Sequence, residues 1–333
     1  MSRYFLLSGL VTLLLSCGSD IKYADVSNID VNVSVIPFYS DLFAISPDGE
    51  PMDIEFLKEK YGHYLELYSS QVIKVGSVDE AQYSDNLMKF VQYEPNQEVL
   101  SACDSVVAGY PGLADDLSQA FKYFKYYFPE IPVPEVYLHL SGFNQSIFID
   151  SALVSISIEK YLGFDCRFYQ WLEIPVYLRN GMTPSKMVPD VMKAMLYAWF
   201  PDSSNSENLL SQMVYQGKVL YGVKSLMPNM SDSLLFDFTA KQLKWCKNYE
   251  SEMWQYVVEK KYLYGTNRLD IQKFIGESPF TSFYGKDSPG RAILYNAFQM
   301  VKSYMNQNET LTLRDLFANN NAQDILLKSR YRP

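Results

Sequence analysis

The chain has 333 residues, of which 48% are hydrophobic and 15% aromatic, and its formal net charge is −9. This length and apolar content suffice for one large domain or two closely packed ones. The negative charge argues against nucleic acid as a partner, and it disfavours close adhesion of the folded body to anionic lipid.

The N-terminus has the pattern of a cleaved export signal. Arg3 precedes an apolar run, residues 4–15, that is too short to span a bilayer comfortably. A small residue, Ser16, then stands before Cys17, an order similar to the lipobox of bacterial lipoproteins. This pattern predicts that residues 1–16 form the signal peptide and that Cys17 carries the acyl chains. An ordinary secretory signal with an incidental Cys is the alternative.

Residues 17–32 are predicted to join the anchor to the body. After Cys17 the segment is polar and lacks helical periodicity, which is typical of a flexible tether that reaches some tens of ångströms. Each buried methylene contributes about 0.8 kcal/mol, so two or three chains of palmitate length on one Cys make the attachment effectively permanent.

Residues 33–333 are predicted to form a single helix-rich α+β domain. The alternation over 31–36 predicts a strand, which Pro37 ends. Apolar residues at spacings of three and four predict helices at 53–68 and 113–128.

Short β-like runs near the middle of the chain predict a small antiparallel sheet or meander. The runs are 136–140, 146–149 and 153–158. From residue 189 onward helical patterns dominate, with Gly and Pro between them. The predicted helices are 189–199, 206–226, 239–261, 270–276, 290–307 and 311–328.

The mature chain offers few side chains for catalysis or for metal binding. Its two histidines, His63 and His139, are interpreted as structural, and the P-loop, Gly-x-Gly-x-x-Gly, Gly-x-Ser-x-Gly and Cys-x-x-Cys patterns are not found in the sequence. Cys103, Cys166 and Cys246 cannot complete a disulfide framework because their number is odd. Three buried thiols are favoured, and one bridge remains open.

Several phrases follow one another along the mature chain. They include VIPFYSDLF at 35–43, ISIEKYLG at 156–163, YQGKVLY at 215–221, PGR at 289–291 and SRYRP at 329–333. Together with the lipobox they resemble the gliding-motility lipoprotein family GldB of Bacteroidota. The resemblance covers almost the whole mature chain.

The resemblance also implies an architecture similar to that of the zincin metalloproteases, with the metal site lost. Helix 189–199 would take the place of the helix that bears His-Glu-x-x-His, and it holds no His. Gln216 would stand at the third ligand position, and it is a poor zinc ligand. We therefore expect no catalytic residues, no metal and no other cofactor.

A degenerate fold of this kind would keep a cleft that binds peptide or polysaccharide. Tyr215, Gln216, Lys218 and Tyr221 are the candidate lining residues. The alternative is that Gly217 lets two helices pack closely while the tyrosines bury their rings.

The function implied by the resemblance is that of a lipid-anchored cell-envelope protein, required for gliding motility or for associated protein secretion and envelope assembly, and acting by binding. Its expected partners are the membrane, through Cys17, and other motility, secretion or envelope-assembly proteins. The outer membrane is favoured over the inner, with a periplasmic body. A periplasmic hydrolase that uses carboxylates such as Asp190, Glu250 or Glu252, and a glycan- or peptide-binding lipoprotein, are the alternatives.

Overall fold

The structure is a computed structural model that describes residues 21–46, 51–203 and 207–333. The predicted signal peptide, 1–16, and the predicted lipidation site, Cys17, lie outside these residues. Within the described ranges, every helix is too short or too polar to cross a bilayer.

Residues 21–34 have no helix or strand, yet they lie against the body. The side chains of Ile21, Val26 and Val33 are buried. The Val33 N–H donates a hydrogen bond of 2.8 Å to Ser118 Oγ. The part of the predicted tether that the structure describes therefore contacts the domain from its first residue.

The first half of the described chain combines helices with a small sheet. Its elements are β1 (Val35–Ile36), α1 (Phe38–Phe43), α2 (Pro51–Leu67), α3 (Tyr83–Val91), α4 (Glu94–Gly109), α5 (Leu113–Tyr127), β2 (Glu135–His139), β3 (Ile147–Asp150) and β4 (Leu153–Ser157). A π-helical turn follows α2 and a 3-10 turn, Ile158–Tyr161, follows β4. The predicted helix at 113–128 is confirmed as α5, and the one at 53–68 as α2, which has a kink at Gly62 (φ 43°, ψ −118°). The periodic residues of α5, Leu117, Phe121 and Phe124, are all buried.

The sheet is mixed, so the predicted antiparallel meander is wrong. Its strand order is β1-β2-β4-β3: β2 is parallel to both β1 and β4, and β3 is antiparallel to β4. All five residues of β4 are buried, whereas β3 is mostly half-buried. The strand that is buried on both faces therefore takes the inner place, and the half-buried β3 takes the edge.

The second half of the described chain is helical. Its elements are α6 (Arg167–Trp171), α7 (Val176–Arg179), α8 (Met187–Trp199), α9 (Leu209–Leu226), α10 (Asp232–Phe236), α11 (Ala240–Asn248), α12 (Glu250–Glu259), α13 (Arg268–Ile275), α14 (Ile293–Gln307), α15 (Leu313–Ala318) and α16 (Ala322–Ser329). α9 is buried on most of its surface and packs against α8, α14 and α16. It forms the centre of the helical layer.

Two of the helices predicted after residue 189 are each divided in the structure. Tyr249 separates α11 from α12, and the two helices bury different residues, Cys246 and Met253, on the body. Residues 319–321 separate α15 from α16. Asn321 Oδ1 accepts a hydrogen bond of 2.9 Å from the Asp324 N–H, and this cap stabilises a new helix start.

Candidate functional site

The junction of α8 and α9 is the place where the resemblance put a lost metal site. Lys193 and Tyr197 are four residues apart on α8, the spacing at which a zinc helix carries its two His. The Tyr197 hydroxyl donates a hydrogen bond of 2.7 Å to Gln216 Oε1 on α9. The second His position of the zinc helix, here Tyr197, and the third-ligand position, here Gln216, are thus hydrogen-bonded to each other. Among the residues that the structure describes, no group of three His, Cys, Asp or Glu could hold a metal ion.

The four residues predicted to line a cleft do not share one cavity. The Tyr215 hydroxyl donates to the Phe200 carbonyl at 3.0 Å, and Lys218 Nζ donates to the Asn319 carbonyl. Tyr215 and Lys218 border a cavity of about 20 Å³, which is enough for one water and too small for a sugar or a peptide side chain. Tyr221 borders a different groove, together with Tyr127 and Met305.

Lys218 is the buried cation of this junction. Burial lowers the pKa of its ammonium to about 8, although the charge of Asp202 opposes the shift. The side chain is only 4% exposed. Its chemistry is therefore confined to the carbonyl it contacts and to the small cavity.

Gly217 sets how closely α9 approaches α14. A Cβ at this position would lie 2.4 Å from the Ala297 carbonyl oxygen and 2.9 Å from Val301 Cγ2. No residue with a side chain fits without moving one helix away from the other. The geometry of Gly217 is that of close helix packing.

A cluster of charges lies at the other end of α8. Lys186 is 3% exposed, and its Nζ lies 2.7 Å from Asp237 Oδ1 and 3.3 Å from Asp190 Oδ1. Arg291 Nη2 lies 3.6 Å from Asp237 Oδ2. The Tyr161 hydroxyl donates to Asp190 Oδ2 at 3.1 Å. A buried cation is thus matched by two carboxylates that are each about three-quarters buried.

The pKa directions in this cluster follow from its geometry. Burial raises the pKa of Asp190, and the neighbouring Asp237 charge adds to the rise, although Lys186 opposes it. Burial also opposes ionisation of Asp237, but the charges of Lys186 and Lys193 outweigh it and lower its pKa. For Lys186 the two carboxylates outweigh burial, so its pKa is raised.

Lys193, on α8 beside this cluster, behaves differently. Burial and the charge of Arg291 lower the pKa of its ammonium. No ion pair of Lys193 occurs among the described residues. The charges of Asp237 and Asp190 oppose this shift of the Lys193 pKa.

Backbone strain coincides with the charged cluster. Asp237 and Arg291 both have left-handed conformations, with φ of 59° and 56°, which cost free energy in residues other than glycine. A Cβ on Gly290 would lie 1.9 Å from the Ser278 carbonyl oxygen. Close packing of the chain at 278 and 290 therefore places Arg291 against Asp237.

Residues 163–182 form an apolar lobe that leaves the body and returns to it. Its ends meet where the Gly163 N–H donates to the Met182 carbonyl at 2.9 Å. Inside the lobe, Arg179 Nε and Nη2 both donate to the Ile174 carbonyl, at 2.9 and 2.7 Å. The Tyr169 hydroxyl donates to the Glu159 carbonyl at 2.9 Å, which fixes the lobe to the body.

The surface of the apolar lobe exposes large hydrophobic side chains between its charged and polar ones. Four large side chains are exposed within a short segment: Phe164 (39%), Trp171 (62%), Leu172 (50%) and Val176 (59%). The Arg167 guanidinium lies 5.0 Å from the Trp171 ring centre and covers part of it. Concentrated exposure of this kind is typical of an interaction surface.

Neither the charged cluster nor the apolar lobe was found by the sequence reasoning. Asp190 and the phrase at 289–291 were noted, but Lys186 and Asp237 carried no motif. The lobe lacks helical or strand periodicity. The available signal was the density of Phe, Trp, Leu and Val in a segment interrupted by Gly and Pro.

Comparisons with known proteins identify one family. A family model described as gliding motility protein GldB matches residues 19–333. No curated protein and no solved structure matches the chain.

Proposed function

The chain belongs to the gliding motility protein GldB family, and from this membership we propose that acyl chains on Cys17 hold it in the envelope while its body binds other proteins. The family assigns it to the motility-associated lipoproteins of the cell envelope. The proposal adds that it serves motility or the associated secretion apparatus by assembly, not by turnover of a substrate. It also places the anchor in the outer membrane and the body in the periplasm.

The α8–α9 junction supports binding over peptide hydrolysis. A catalytic zinc site needs three protein ligands and one position open to water or substrate. Here Tyr197 and Gln216 are hydrogen-bonded to each other, and the position four residues before Tyr197 holds Lys193, which is not a zinc-ligand type. Close packing of Gly217 on Ala297 also closes this point of the α9–α14 interface to a substrate.

The apolar lobe is the observation that carries the proposed binding role. Its exposed Trp171, Leu172 and Val176 stand on a base held by several hydrogen bonds, so little conformational entropy is lost when a partner covers them. Tryptophan at the centre of such a surface typically contributes about 2 kcal/mol or more to binding. We therefore assign the lobe as the partner-binding surface.

A pull-down from detergent-solubilised membranes with the acylated protein tests the proposal. The variant Trp171→Ser/Leu172→Ser removes the centre of the lobe. The matched control, Trp199→Ser/Leu269→Ser, replaces the same residue types at exposed positions elsewhere. Capture of envelope partners is expected to fall about tenfold or more with the lobe variant, which corresponds to about 1.4 kcal/mol, and to persist with the control.

Gliding should decrease in cells that carry the lobe variant while the level of membrane-bound protein is unchanged. Equal capture by both variants would remove the lobe from the proposal. If the unaltered protein captures only general lipoprotein-sorting factors, the assembly role itself is refuted. Specific retention of a glycan would favour the glycan-binding alternative.

A further inference from the structure

The N-terminal segment is fixed to α5 along its described length. Val33 lies beside Ser118, and a backbone hydrogen bond joins Ala24 to the Tyr127 hydroxyl near the end of the helix. The side chains of Ile21 and Val26 are buried, with 8% and 5% exposure. The chain from 21 to 33 therefore runs back along α5, and its start lies at the C-terminal end of that helix.

This arrangement leaves only a very short linker, residues 18–20, between Cys17 and the body, and we call this linker the leash. Residues 18–20 separate Cys17 from Ile21, the first buried side chain. A chain extends by at most about 3.5 Å per residue, so the Cα atoms of Cys17 and Ile21 are at most about 14 Å apart. That distance is smaller than half the thickness of a typical bilayer with its headgroups. A body on such a leash cannot rotate freely above the membrane.

The surface around the start of the leash fits a headgroup layer. We call it the anchor face and define it by Lys22, Tyr23, Tyr126, Glu309 and Arg314. Tyr23 and Tyr126 are 38% and 50% exposed, and tyrosine is favoured at membrane–water interfaces because one end of its side chain is apolar and the other polar.

Ion pairs neutralise the charges of the anchor face. Lys22 Nζ lies 2.9 Å from Glu309 Oε2, and Arg314 pairs with Glu130. Although the whole chain carries a net charge of −9, these pairs do not add repulsion towards anionic lipids.

We propose that the anchor face lies on the lipid headgroups, so that the short leash holds the body in one orientation on the membrane. The proposal rests on the acylation of Cys17 proposed above. The occupant of the anchor face is the bilayer surface itself.

The same orientation separates the apolar lobe from the point of attachment. Phe128, next to Tyr127, packs on Phe200 at the C-terminal end of α8, with ring centres 4.6 Å apart. The lobe returns to the body at the N-terminal end of α8, where Tyr161 binds Asp190. α8 has 13 residues, so the two ends lie about 20 Å apart. The partner-binding surface is thus held at a fixed distance from the anchor.

Spin labels on the acylated full-length protein test this orientation. The variants Tyr126→Cys and Trp171→Cys place a nitroxide on the anchor face or on the lobe. Both are made in a Cys166→Ser background, because Cys166 is the half-buried free thiol while Cys103 and Cys246 are buried. The protein is reconstituted into phosphatidylethanolamine and phosphatidylglycerol vesicles that contain a nickel-chelating headgroup lipid.

Relaxation of the label by headgroup nickel is expected to be several-fold stronger at position 126 than at position 171. Ten Gly/Ser residues inserted after Asp20 lengthen the leash to about 20 Å root-mean-square, and the enhancement at 126 should then fall to the level at 171. A Ser19→Gly variant keeps the leash length and should retain the difference.

Flotation with the vesicles distinguishes failure of the lipid anchor from failure of the fixed orientation. Protein that floats but shows equal relaxation at both positions refutes the fixed orientation and leaves the anchor intact. Protein that does not float refutes the lipid anchor, and the orientation with it. Thermal unfolding of each labelled variant, compared with the parent, verifies that exposed positions were changed without loss of the fold.

Discussion

Replacing Lys186 by Met is expected to cost about 3 kcal/mol of unfolding free energy. Lys186 is 3% exposed, and its ammonium lies 2.7 and 3.3 Å from the carboxylates of Asp237 and Asp190. Its removal leaves two largely buried carboxylates facing each other, with Arg291, 3.6 Å from Asp237, as the remaining ion-pair partner. Loss of one partner from a buried ion pair typically costs 3–5 kcal/mol, and the remaining exposure of the carboxylates favours the lower value of about 3.

The loss of unfolding free energy caused by Lys186→Met should become smaller as the pH is lowered. In the parent protein the charges of Lys186 and Lys193 hold the pKa of Asp237 below its usual value, although burial opposes this. Without Lys186 that pKa rises, so the folded variant binds protons more readily than the unfolded chain. Lowering the pH from ~7 to about 4.5 should therefore shrink the difference between variant and parent.

Urea unfolding at the two pH values measures the loss of unfolding free energy and its dependence on pH. With about 2.1 cal/mol/K of unfolding entropy per residue, a loss of 3 kcal/mol corresponds to a decrease of about 5 °C in Tm. The exposed Lys247→Met serves as control. The double variant Lys186→Met/Asp237→Asn should lose less than the sum of the single variants, by about 2 kcal/mol. A loss below about 1 kcal/mol that is independent of pH would refute the reasoning.

Three further outcomes are expected. Gly217→Ala should lower the unfolding free energy by about 2 kcal/mol because the new methyl group meets the Ala297 carbonyl. The control Gly109→Ala has open space around the new methyl group and should be neutral or stabilising. Equal effects of the two variants in urea unfolding would contradict the packing role of Gly217. Burial lowers the pKa of His139 to about 3, so the unfolded chain binds a proton that the folded protein does not, and stability should fall as the pH drops from about 6.5. His139→Gln should flatten this part of the urea-unfolding pH profile and the exposed His63→Gln should not; identical profiles would contradict it. Elemental analysis of protein purified without chelator should find zinc far below one equivalent, and stoichiometric zinc would overturn the proposed loss of the metal site.

The regular elements could be predicted where a periodic apolar face is buried. α5 buries Leu117, Phe121 and Phe124, and the pattern alone located it within one residue. The break between α15 and α16 was missed because Asn321 caps a new helix inside a pattern that reads as continuous. Local capping chemistry competes with periodicity, and the pattern cannot show which prevails.

The sequence by itself determined the family and the class of fold, since these depend on local order and composition along the chain. Only the tertiary structure decided the sheet order, the pairing of Lys186 with Asp237, and the exposure of Trp171, because each depends on segments that meet only after folding. The length of the leash was also decided only by the tertiary structure. A polar stretch after a lipidation signal is typical of a flexible tether, yet burial of Ile21 against the body depends on a groove that the stretch itself does not encode.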